Sequence, residues 1–249
     1  MKMNETIKTM LNHRSIRKWK DEKVSDDILE TLFNVANRTS TSIGMQTASI
    51  IRITDKDKRD KIAEITTQNY VNEAPEFWVF IVDHFRNNQI LEEVKSKKNY
   101  THDVDRFFSG VTDAALMAQN VANAIESLGM GFVFFGSILN NPEKLLEILE
   151  LPKYTMPVLG IGFGYPDQDP KIKPRMNYEN RIFENKYKIY DNYHEIFKEY
   201  DKIMDTYYDL RNTKKTVGKF TQQVVQKYSS QQELRQKLIE IARKQGYNL

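Results

Sequence analysis

Phe77-Trp78-Val79-Phe80-Ile81-Val82 is an apolar run with no polar residue at alternate positions. A strand with one wet face alternates apolar and polar residues, so this run of aromatic and β-branched side chains predicts a strand covered on both faces. Gly131-Phe132-Val133-Phe134-Phe135 and Met156-Pro157-Val158-Leu159-Gly160-Ile161 have the same character. Helical patterns surround these runs. One helix opens at the N-cap Asn4, with Ile7, Met10 and Leu11 on one face; another follows Ser25 and carries Ile28, Leu29, Leu32, Phe33 and Ala36. The polar run Thr39-Ser40-Thr41-Ser42-Ile43-Gly44 reads as a loop before a strand over Ala48 to Ile53, and a short charged helix is expected near Lys58 to Thr66. The alternation predicts an α+β fold: a mixed central sheet sandwiched by helices.

The strongest helical period runs from Val104 to Leu128, where Phe108, Val111, Ala115, Ala118, Ala122, Ile125 and Leu128 fall on one stripe. Ala114, Ala115, Ala118, Ala122 and Ala124 leave little bulk on this helix, so another helix can approach closely, from the same chain or from a second copy. From Asp191 onward the chain is charged and rich in tyrosine. Ile196, Tyr200, Ile203, Met204 and Tyr207 share a helical face, a break is expected near Asn212 to Gly218, and a last helix over Gln231 to Lys244. We read 1–249 as a single domain, with a core to about residue 190 and a helical C-terminal excursion over 191–249.

A chain of 249 residues can bury a substantial core. No stretch approaches the ~18 consecutive apolar residues of a membrane span, and Met1-Lys2-Met3-Asn4-Glu5 lacks the apolar core of a signal peptide. A cytoplasmic protein with no membrane contact is the expectation. Cysteine is absent, which excludes disulfides, thiolate nucleophiles and cysteine-ligated clusters, so redox chemistry here needs a bound cofactor. The four histidines (His13, His84, His102, His194) are nowhere paired at i,i+4, and no metal site is expected.

The net charge of +3 is unevenly spread: residues 1–170 hold 20 basic and 24 acidic side chains, residues 171–249 hold 17 and 10. The C-terminal third is therefore where an anion is drawn, unless the excess is only a solvated basic face. Two clusters there and near the N-terminus suit a phosphate held from two sides: His13-Arg14-Ser15-Ile16-Arg17 and Lys173-Pro174-Arg175. Gly160-Ile161-Gly162-Phe163-Gly164 is followed by Tyr165-Pro166-Asp167 rather than by a helix, so it is not a dinucleotide fingerprint. A remote alternative is a nucleic-acid binder using Tyr200, Tyr207, Tyr208, Lys214 and Lys215, against which ten acidic residues in the same region argue.

These clusters stand in order with further segments: Asn12 to Arg17, Thr39 to Ser42 leading to Gln46, Ser49 to Lys56, Glu76 to Phe80, Met117 to Asn120, Glu126 to Gly131, and Leu151-Pro152. Over residues 4 to about 210 the chain resembles the oxygen-insensitive NADPH nitroreductase and NADPH:flavin oxidoreductase branch of the nitroreductase family. The resemblance implies FMN as cofactor, NADPH as co-substrate with NADH as the other donor, and a homodimer with the long central helix at its interface. It implies that His13, Arg14 and Ser15, with Lys173 and Arg175, meet the FMN phosphate and ribityl end, and that Arg17 lies beneath the pyrimidine edge. Gln68 is assigned to the flavin ring, with Asn69 able to share that task because Thr66-Thr67-Gln68-Asn69 is one residue short of the family pattern. Thr41 and Gln46 would reach the cofactor from the partner subunit, and Phe134, Phe135, Gly136 and Ser137 would run past the ring. Arg211 is assigned to the NADPH 2′-phosphate with Lys214 and Lys215 nearby, although Ser229-Ser230-Gln231-Gln232 stands where another arginine belongs. The implied activity is ping-pong, two-electron reduction of nitroaromatics, quinones or similar small-molecule acceptors, with a dedicated NADPH:FMN reductase as the alternative; no side chain acts as a nucleophile.

Overall fold

Four strands form one sheet: β1 (Ala48–Arg52), β2 (Glu76–Asp83), β3 (Gly131–Phe135) and β4 (Thr155–Gly164), in the order β1-β2-β4-β3. This computed structural model describes residues 3–210 and 214–249. β2 carries the opening run and is buried from Glu76 through Val82. Its alternate residues enter different cores. Phe77, Val79 and Ile81 pack with Ile62, Val71 and Ile138 on one face, whereas Trp78 and Phe80 pack with Leu29, Leu32, Ala118 and Ile125 on the other. Each such side chain contributes roughly 1.5–3 kcal/mol of burial, so both layers are anchored on one strand.

The expected mixed sheet is corrected in one respect: every neighbouring pair is antiparallel. Between β1 and β2, helices α3 (Lys56–Thr66) and α4 (Tyr70–Glu73) bring the chain back to the edge it left, as the pairing of Arg52 with Trp78 shows. β2 and β3 run in the same direction, but β4 lies between them and opposes both. Alternating elements therefore did not imply adjacent parallel strands. The glycines of β4 serve packing: a Cβ built on Gly164 would lie 2.5 Å from Pro75, and one on Gly162 2.9 Å from Phe135.

The N-terminal helices α1 (Glu5–Leu11) and α2 (Asp26–Asn37) begin at the caps expected, with the Asn4 and Ser25 side chains accepting from the Ile7 and Ile28 amides. α5 (Phe85–Glu93) leads to the central helix α6 (Val104–Ser127). Its buried face is Phe107, Gly110, Ala114, Ala118, Val121, Ala122 and Ile125. The expected stripe holds at Ala118, Ala122 and Ile125 and fails on either side of them: Phe108 is 59% exposed, and Ala115 and Leu128 are exposed as well. The phase is set by Gly110, which abuts Val82 and His84, and by the buried Asp113, neither of which an apolar pattern selects.

After α7 (Pro142–Ile148) and β4, the chain divides into two units, residues 1–169 with 232–249, and residues 170–231. The division differs from the expected excursion over 191–249. In the second unit, α8 (Tyr193–Ile196) and α9 (Lys198–Asp205) precede α10 (Phe220–Tyr228), whose Phe220 ring lies on Phe197 and Tyr200 and whose Thr221 amide donates to the buried Asp201. The last helix is two short ones, α11 (Glu233–Gln236) and α12 (Leu238–Lys244). They belong to the first unit because Ile241, Ala242 and Tyr247 join Val82, Phe107 and Met156 in a third core.

His84 is 2% exposed in that region, and burial holds its pKa below the ordinary 6.5. The unfolded chain therefore takes up a proton more readily than the folded one, and stability present above about pH 6.5 is lost as the pH falls toward the folded pKa. Urea midpoints at about pH 7.5 and 5.5 are expected to fall in the wild type and to fall less in His84→Phe, which has no imidazole to protonate. Equal losses in the two proteins would contradict this.

Candidate functional site

Beyond α1 the chain is extended and lies along β3. The Ile16 amide donates to the Phe132 carbonyl at 2.8 Å, and Trp19 Nε1 donates to the Gly131 carbonyl at 2.8 Å. On its other side the segment meets the chain after β4, with Lys20 donating to Tyr165 and Asp167 donating to Lys18. Ile16 fits because residue 131 is glycine: a Cβ there would lie 2.3 Å from Ile16 Cγ1. With Ile16 turned inward, the period-two geometry of extended chain turns Ser15 and Arg17 the other way, and both are half-buried.

His13 Nδ1 donates to Glu126 Oε1 at 2.7 Å, and its ring lies 5.1 Å from that of Phe132. Arg14 pairs with the exposed Asp169. A cleft of about 500 Å³ lies beside these residues, lined by Lys8, Arg14, Ile16, Glu126, Gly131 and Asp169. Arg14 Nε is buried and has no hydrogen-bond partner, so the guanidinium keeps donor capacity for an anion. Asp169 is exposed and its pairing is weakly held, so an entering phosphate competes with it at small cost.

At the other end of β3, Gly136 opens the 3₁₀ turn Gly136–Asn140, and a Cβ on Gly136 would meet no heavy atom within 4 Å. The open space leaves room for a flat ring to approach the backbone. The Ser137 hydroxyl donates to Gln68 Oε1 at 3.3 Å, which brings together two of the expected site residues from distant parts of the sequence. Gln68 is aimed by the end of α3, where Thr67 is left-handed (φ 55°) and the Gln68 amide donates to Thr66 Oγ1. Asn69 is exposed at the start of α4. Phe134 is half-buried, whereas Phe135 is 1% exposed among Tyr70 and Phe77, so only its backbone can face a ligand.

Three residues that the sequence reading did not assign support this arrangement. Glu126 fixes the His13 ring. Arg235, from the returning C-terminal segment, donates to the Gly136 carbonyl at 2.7 Å and holds the turn. Asp113, 2% exposed on α6, accepts from the Ser42 amide and hydroxyl and from the Thr47 hydroxyl. An acid in the middle of the alanine-rich central helix was the available signal for Asp113; nothing local marks Arg235.

Thr41 and Gln46 flank the residues anchored on Asp113. That anchorage is thirteen helical positions from Glu126, about 20 Å along the axis, so one chain does not bring this loop to His13. Lys173 and Arg175 belong to the second unit. There the Tyr200 hydroxyl, kept protonated by burial, donates to the Pro174 carbonyl at 3.1 Å, and Arg175 donates to the Lys173 carbonyl. Lys214 and Lys215 are exposed in the same unit, and Arg211 lies outside the described residues.

The first unit thus brings together cations at one end of β3 and an open turn with an amide at the other. The model of the Nitroreductase family matches residues 10–165, and that of its C-terminal domain matches residues 173–249. The chain belongs to the nitroreductase family. It is 40% identical over 187 residues to the oxygen-insensitive NADPH nitroreductase of Salmonella typhimurium, covering 75% of this chain and 76% of that one. Among solved structures, it is similar to a hypothetical oxidoreductase from Bacillus subtilis (TM-score 0.92, 32% identity, 99% of both chains). The NADPH:FMN oxidoreductase from Vibrio harveyi complexed with NAD⁺ has a TM-score of 0.86 at 31% identity, covering 98% of this chain and 99% of that one.

Gly131→Ala forces Ile16 off β3, which is expected to cost about 1–3 kcal/mol of stability and to weaken FMN binding more than a comparable loss elsewhere. Urea denaturation with a flavin fluorescence titration checks both; unchanged flavin affinity would contradict the role of this contact.

Proposed function

We propose that the protein is an FMN-containing, NADPH-dependent oxidoreductase that reduces nitroaromatics, quinones or similar small acceptors by two electrons. The observation that carries this reading is the docking of residues 13–17 along β3, which lines up the phosphate-binding side chains with the Gln68 and Ser137 pair. FMN, when bound, supplies the hydride-transfer chemistry. His13, Arg14 and Ser15 hold its phosphate and ribityl end, and Lys173 and Arg175 contribute the second set of cations that the sequence assigns to it. Arg17 places a fixed positive charge at the pyrimidine edge, where negative charge collects on reduction. Gln68 can both donate and accept there, with Ser137 fixing its carbonyl oxygen and leaving its NH₂ group for the ring.

The enzyme is a homodimer in this reading. Thr41 and Gln46, whose anchorage lies about 20 Å along α6 from that of His13, are assigned to the flavin of the other subunit. Phe108 and the 46% exposed Leu116 give α6 an outward apolar face for that contact. NADPH and acceptor use the same face of the cofactor in turn, with Arg211, Lys214 and Lys215 attracting the 2′-phosphate. No helix among the described residues is long and apolar enough to cross a membrane, and the site supplies no reason to invoke a nucleic acid.

Anaerobic addition of NADPH and, separately, NADH to the FMN-loaded protein tests the reading. Flavin absorbance is expected to bleach faster with NADPH, and Arg211→Gln to narrow the difference. Arg17→Ala is expected to keep the fold while slowing bleaching about 10- to 100-fold or loosening FMN. A protein that binds no flavin would overturn the assignment, and saturation of turnover by low added FMN would favour the flavin-reductase form of it.

A further inference from the structure

A second cleft of about 420 Å³ shares no lining residue with the one beside Arg14. Its walls include Met45, Ile90, Leu91 and Tyr100, and among its polar members are His84, Asn87, Lys98 and Arg106. The His84 ring is fixed in place and in tautomer. Gly110 leaves it room, since a Cβ there would come to 3.0 Å from His84 Cε1. Tyr247 has one hydroxyl proton, which it donates to the Tyr154 carbonyl at 2.7 Å. The 3.2 Å contact between His84 Nδ1 and Tyr247 Oη is therefore made by an Nδ1–H donating to the tyrosine oxygen. Burial, opposed by the Asp83 charge and aided by that of Arg106, keeps the imidazole neutral near pH 7. Its Nε2 is then a bare acceptor, buried and without a hydrogen-bond partner in the protein. Nδ1 is committed to Tyr247, so Nε2 is the nitrogen of this cleft-lining ring that is left for a ligand.

A buried acceptor without a partner is unfavourable and is relieved by a ligand that brings a donor. The apolar walls suit a flat hydrocarbon body, the volume lies within the range of small-ligand sites, and Arg106 favours a negative group. We propose that this cleft binds a hydroxyaryl acid, whose hydroxyl donates to His84 Nε2 and whose carboxylate faces Arg106. This does not depend on the flavin assignment.

Calorimetric titration of the full-length, FMN-saturated protein with 4-hydroxybenzoate and with benzoate, at about pH 7.5 where His84 is neutral, tests it. 4-Hydroxybenzoate is expected to bind about tenfold more tightly than benzoate, the equivalent of one hydrogen bond. His84→Phe, which keeps a ring in the same place, is expected to reduce the hydroxyl compound to the level of benzoate. Arg106→Gln, at a partly exposed position, is expected to weaken both acids while leaving their ratio. Equal affinities in the wild type, no binding of either acid, or a tenfold preference that survives in His84→Phe would overturn the proposal. A shift of the flavin spectrum on binding, unchanged in His84→Phe, would place the acid on the flavin and overturn it too.

Discussion

The main-chain bond from Ile16 to Phe132, made possible by a glycine at 131, is the constraint on which the site depends. It turns a string of basic residues, which in most chains would be a solvated surface, into a row of donors with defined directions. Ile16 points into the core and stays there because nothing at 131 competes for its volume. The residues on either side then have only one way to face. His13 is held by Glu126, Arg14 reaches the cleft, and the far end of the same strand delivers Gly136 and Ser137 to Gln68.

The remaining architecture holds that strand rigid. β4 packs between β2 and β3, and its glycines admit the side chains of Phe135 and Pro75 that a larger residue would displace. β2 feeds two cores from alternate residues and ties the sheet to helices on both faces. Its first residue, Glu76, is a buried carboxylate that accepts two bonds from Arg52 and one from Trp78 Nε1, so the strand begins on a satisfied charge. The C-terminal return matters in the same way: α12 and Tyr247 fill the third core, and Arg235 comes with them to the Gly136 carbonyl.

Much of this was legible in the residues. β2 and β3 follow from uninterrupted apolar runs, and α1 and α2 from Asn4 and Ser25 as caps. The phase of α6 was not legible in its first half. Alanine and glycine carry little apolar signal, Phe107 and Phe108 are both plausible core residues by type, and the deciding neighbours, Val82, His84 and Thr47, are remote in sequence. Strand direction was hidden for a related reason, since alternation of elements does not tell whether a helical connection returns to its own edge or crosses the sheet. The homing of residues 232–249 rests on Ile241, Ala242 and Tyr247 among many charges, too sparse a pattern to show before their partners are known.

The account's central claim is that residues 13–17, laid along β3, grip a flavin by its phosphate. Equilibrium dissociation constants of the apoprotein for FMN and for riboflavin, which share the ring and differ in the phosphate, test it most directly, with Arg14→Gln measured alongside. FMN is expected to bind at least about a hundredfold more tightly than riboflavin, and Arg14→Gln to remove about tenfold of that advantage, in keeping with charge-assisted bonds to a phosphate. Equal affinities for FMN and riboflavin, or an FMN advantage untouched by Arg14→Gln, would contradict it.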